Sequence, residues 1–168
     1  MIRGVIGTVP WHAVEVGRFY MSSAYGAGAW LFQCIRMPEK QDAAPVTKAL
    51  VFTIGGETEL SLKSLPQMSL LVALYDVHVR IDPTSLNHHF DAGLFRFLLV
   101  GDQPIICASH GSSHGWQRVN LVGGRYFTDN EDHNAVSFDR WSLVLDDDTN
   151  EELTIASFDA LSPPKRAP

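Results

Sequence analysis

Cys107, His110 and His114 fall within eight residues, in the stretch PIICASHGSSHGW. One thiol and two imidazoles are donors that zinc accepts in tetrahedral geometry. A histidine pair four residues apart converges mainly on a helix, where both positions share a face. Gly111, Ser112, Ser113 and Gly115 instead point to a loop. The favoured reading is a polar turn in which His110, Ser112 and His114 present recognition groups. A zinc site on Cys107, His110 and His114, in a metal-binding protein or a metal-dependent enzyme, is the alternative. His88, His89 and Asp91 could add ligands, while His78 belongs to the solvent side of a strand.

Covalent catalysis needs a nucleophile, a base within reach and a third group to orient the base. Ser109, His110 and Cys107 are the nominal candidates, but no G-x-S-x-G elbow is present. Cys107 is flanked by Ile105, Ile106 and Ala108, surroundings that raise a thiol pKa and blunt its reactivity. The carboxylates Asp76, Asp82 and Asp91 have no spacing that requires them to pair across a cleft. Gly55-Gly56 and Gly123-Gly124 open neither a P-loop nor a dinucleotide fingerprint. No catalytic residue is assigned, and no cofactor is expected beyond the zinc alternative.

The elements that must position these residues read almost wholly as strands. Val46–Ile54 combines β-branched and aromatic residues and stops at Gly55-Gly56. Ala29–Met37, Leu60–Leu65, Leu94–Val100, Pro104–Ala108, Gly115–Val122, Ala135–Leu145 and Leu153–Phe158 are further strand runs, with Gly- and Asp-rich turns between them. Met68–Ile81 begins as a continuous apolar run and then alternates Tyr75, Val77, Val79 and Ile81 with Asp76, His78 and Arg80. That pattern predicts one long strand, buried first on both faces and then on one. Asp82-Pro83 predicts a capped short helix over Pro83–Phe90. Amphipathic helices of 12 or more residues are not visible, so the fold class is all-β and mainly antiparallel.

Two segments echo each other. Val16-Gly17 answers Val100-Gly101, Tyr25-Gly26 answers His110-Gly111, and Ala29-Trp30 answers Gly115-Trp116. The pattern admits two arrangements: two tandem small SH3-like barrels from a degenerate internal repeat, or a single irregular β-sandwich or barrel. The corresponding division is a first β module over 1–67, a connecting long strand and short helix over 68–93, a second β module over 94–161, and a flexible Pro-rich tail over 162–168. The SH3-like comparison is architectural and carries no function.

Of 168 residues, 45% are hydrophobic, enough for a sizeable core. The net charge is −6 and the 13 basic residues are scattered, whereas nucleic-acid binders cluster Lys and Arg to neutralise phosphates. Nucleic-acid binding by SH3-like modules is therefore the third-ranked reading. Two cysteines inside apolar runs are expected as core thiols. Neither a signal-peptide apolar region nor a membrane-length apolar run is present, so a cytoplasmic location without membrane contact is expected.

The reading that ranks first is a non-enzymatic binding protein that recognises a protein partner, or itself, through β-module loops or an edge strand. Trp11, with His12 beside it, is the expected contact anchor, since Trp is enriched at binding hot spots. Tyr25 sits in the first-half loop equivalent to that of His110, Ser112 and His114.

Overall fold

A computed structural model describes residues 5–24, 28–37, 46–64, 71–87, 93–110, 116–126, 135–146 and 152–162. The strands are β1 Val5–Val9, β2 Phe19–Ala24, β3 Gly28–Met37, β4 Val46–Ile54, β5 Glu57–Ser64, β6 Leu71–Leu74, β7 Val77–Ile81 and β8 Leu86–Asn87. They continue as β9 Phe97–Val100, β10 Gln103–His110, β11 Trp116–Asn120, β12 Arg125–Tyr126, β13 Ala135–Phe138, β14 Arg140–Asp146 and β15 Glu152–Asp159. Helical residues among those described are confined to two single 3-10 turns, Trp11–Ala13 and Pro83–Ser85. The all-β reading is correct.

Six strands close into a barrel. β3, β4 and β5 form one antiparallel meander, and β10, β11 and β12 form another. Two parallel seams join the meanders, β5 to β10 through Ser61↔Ser109 and β12 to β3 through Arg125↔Arg36. The ring is thus completed only by strands from both halves of the chain, as in the single-barrel arrangement. β2, β6 and β1 extend the sheet from β3, and β9, β13 and β8 extend it from β10.

The core lies inside the ring. Leu31 and Ile35 from β3, Leu50 and Phe52 from β4, Leu60 and Leu62 from β5, Ile106 from β10 and Val119 from β11 share one buried cluster. β3 and β4 are covered on their other face too, where Tyr20, Phe32, Cys34, Val51 and Leu71 pack together. Leu98, Ile105 and Cys107 form a third cluster on the outer face of β9 and β10. Burial on both faces explains the near-continuous apolar runs of these strands. Both cysteines are buried thiols, in different clusters.

Three expectations change in detail. The described part of the run Met68–Ile81 is two strands, β6 and β7, because Asp76 adopts φ +57° and turns the chain between them. Asp is among the few residues whose short polar side chain tolerates this left-handed conformation. β6 then joins β1 and β2, while β7 leaves for a separate sheet. The run Ala135–Leu145 likewise divides at Asp139, whose carboxylate pairs with Arg96 at 2.7 Å. Asp82 does cap a turn that opens with Pro83, but the turn ends at Ser85 and the chain extends into β8 against β13. Residues 88–92 lie outside those described.

Candidate functional site

The second sheet, ordered β15-β14-β7, packs one face on the barrel core and carries charged and polar side chains on the other. Trp141, Leu143, Ala156 and Phe158 are buried in the main cluster, with Val77, Val79 and Ile81 packed against it. The Trp141 indole stacks on Phe158 at 4.1 Å and donates to the Phe95 carbonyl at 2.7 Å. Strand alternation then places the exposed His78 and Arg80 on the opposite face, with the exposed Thr154 and Ser157 and with Ser142 and Val144, which are buried.

That face is an ordered polar surface. Arg80 Nη1 meets Glu152 Oε2 at 2.6 Å, and Arg80 Nη2 donates to Thr154 Oγ1 at 3.0 Å. His78 Nε2 stands 3.5 Å from Glu152 Oε1, and His78 Nδ1 stands 3.9 Å from Asp146 Oδ1. At the other end, Arg140 Nη2 pairs with Asp82 Oδ2 at 3.0 Å. The Asp82 carboxyl is held below the usual carboxylate range, chiefly by the hydrogen bonds from the Thr84 hydroxyl and amide and further by Arg140. An open cleft of about 620 Å³ runs along this end, lined by Thr58, Arg80, Arg140, Ser142, Ser157 and Asp159 among others.

The two edges of the sheet differ. The outer edge of β15 is engaged at one point, where the Thr58 hydroxyl donates to the Ser157 carbonyl at 3.3 Å. The outer edge of β7 pairs with no described strand. Asp82 N donates to the Arg140 carbonyl at 3.1 Å, which fixes the phase of the antiparallel ladder. Arg80/Ser142 and His78/Val144 are then its hydrogen-bonded pairs. The main-chain groups of Val77, Val79 and Ile81 therefore point away from β14, at the free edge.

Those residues singled out in the sequence that are described lie in different elements. Cys107 is 2% exposed and packs with Leu98 and Ile105. His110 ends β10, where its backbone pairs in parallel with Leu62 of β5. Trp11 and His12 share a 3-10 turn, with His12 exposed. Tyr25, Ser112, His114, His88, His89 and Asp91 lie outside the described residues. Cys34 shows what burial does to a thiol here: desolvation pushes it up to about 12.

Sequence reasoning placed His78 correctly on the solvent side but did not associate it with Asp146 and Glu152. The alternation along β7 and the acidic ends of the β14–β15 hairpin were the available signals. Their juxtaposition depends on the long-range pairing of β7 with β14.

Comparison with protein-family models, with curated proteins and with solved structures gives no match. Fold and site together define the protein as a closed six-stranded barrel carrying a second, three-stranded sheet with an open edge and a charged face. Among the described residues, no helix is long and apolar enough to cross a membrane.

Proposed function

We propose that this chain is a non-enzymatic interaction protein that takes an extended segment of a protein partner at the free edge of β7. The supporting observation is the ladder phase: Val77, Val79 and Ile81 turn their N–H and C=O groups outward, with no described strand beyond them. Such an edge is a template for strand addition, in which main-chain hydrogen bonds supply affinity and alternate side chains supply specificity. His78 and Arg80 flank the edge with polar groups that limit unspecific pairing and select the partner's sequence.

Cross-linking and affinity capture from the source cell, with the native chain and with Val79→Pro, test this reading. Proline removes the outward N–H of residue 79 while leaving the β14 side of the ladder intact. The native chain is expected to cross-link to its partner through residues 77–81, and Val79→Pro to lose the partner while keeping its fold. A partner retained by Val79→Pro, or a monomer that captures nothing, overturns the proposal. Sedimentation equilibrium of the purified chain shows whether the added strand comes from a second copy.

A further inference from the structure

We propose that His78, Asp146 and Glu152 form a surface site for a divalent transition-metal ion of the zinc type, independent of strand addition at β7. Each residue comes from a different, directly paired strand: His78 from β7, Asp146 from β14 and Glu152 from β15. Backbone pairing sets their spacing, so the site is built on rigid elements rather than on a loop. One donor atom from each residue lies within 4.8 Å of the other two.

An ion about 2.0–2.2 Å from each donor spans donor separations of up to roughly 4.3 Å. The side chains are 43%, 46% and 39% exposed, so small rotamer changes can close the remaining gap. One imidazole with two carboxylates suits zinc and its neighbours better than calcium or magnesium, which take oxygen ligands almost throughout. Water completes the coordination at an exposed site of this kind. The carbonyl of Asp76 stands 3.4 Å from His78 Nδ1, placed to hold the ring while Nε2 faces Glu152. Arg80 occupies only Oε2 of Glu152, leaving Oε1 on the His78 side. Arg80 opposes a cation, but the two carboxylates of Asp146 and Glu152 outweigh that single positive charge.

Titration of the full chain with zinc chloride, followed by calorimetry, tests the site, with cobalt(II) absorption as a second reading of coordination. Native protein is expected to bind one ion per chain. His78→Ala and Glu152→Gln should each weaken binding by at least about tenfold, the scale at which even the outer partners of ligands count. Arg80→Gln should tighten binding, and the double variant His110→Ala/His114→Ala should leave it unchanged. Far-UV circular dichroism confirms that each variant retains its sheet. Absence of binding, full affinity in His78→Ala, or loss confined to the His110/His114 variant overturns the proposal, the last by moving the ion to the β10–β11 loop.

Discussion

The side-chain amide of Gln33 donates to the main-chain carbonyl of Leu121 at 2.8 Å, across 88 residues of sequence. The same nitrogen donates to the Gly17 carbonyl at 2.9 Å. Gln33 is fully buried and shares the inward face of β3 with Leu31 and Ile35. It sits at the seam where β12 meets β3 through a single register pair, Arg125↔Arg36. The side chain thus ties β3 to the β11–β12 turn and to the turn before β2, beside a ladder that is short.

Replacing Gln33 with Leu keeps an apolar side chain of similar size there but leaves the Leu121 carbonyl and the part-buried Gly17 carbonyl without that donor. Each such loss costs about 1–3 kcal/mol. Urea unfolding of Gln33→Leu should show a midpoint clearly below that of the native chain. Equal midpoints would mean that backbone pairing alone holds the seam.

Gly124 lies at the same seam with φ +57°, and a Cβ there would stand 2.5 Å from the Cys34 carbonyl and 2.7 Å from Gly17 N. Gly56, in the β4–β5 hairpin, also has positive φ but would meet nothing within 4 Å. Gly56→Ala should cost only the left-handed strain, about 1–2 kcal/mol. Gly124→Ala must also displace backbone, so it should be the more damaging by a clear margin in thermal unfolding. Similar losses for the two would count against the close approach of Gly17 and Gly124.

Cys34 is fully buried, and desolvation raises its thiol from 9.0 to about 12. The folded state therefore holds its proton where the unfolded chain releases one. This contribution to stability is complete below pH 9.0 and is lost as pH rises towards about 12. At pH 8 a thiol reagent should label neither Cys34 nor Cys107 in the native protein, and both in denaturant. Rapid native labelling of Cys34 would contradict the packing of the outer cluster.

Asp82 works in the opposite direction. Its carboxyl is depressed first by the Thr84 hydrogen bonds and then by Arg140. Its contribution is present above about pH 4, the ordinary carboxylate range, and is lost as pH falls through the lower folded value. Thr84→Val should move the Asp82 titration upward when the side-chain carboxyl carbon is followed by NMR. An unmoved titration would leave the residue-84 amide and Arg140 as the causes.

Much of the fold was legible locally. Val46–Ile54 was read with the bounds it has as β4, because β-branched and aromatic content ends sharply at Gly55-Gly56. Both glycines take positive φ, as a two-residue hairpin turn requires. The Asp82 cap and the outward placement of His78 were also readable, since each depends on a few neighbouring residues. The helix over Pro83–Phe90 was read too long because Ser85 bonds instead to the Asp82 and Arg140 carbonyls, fixing the turn against β14.

Sequence by itself determined most of the strands, several turns and the burial of both thiols, because alternation, glycine punctuation and apolar runs act over short distances. Tertiary structure alone decided that two meanders close one ring and that His78 meets Asp146 and Glu152. Those outcomes rest on the pairing of β5 with β10, β12 with β3 and β7 with β14. Generic backbone groups make these pairings, and no side-chain pattern within either partner strand encodes which one it will meet.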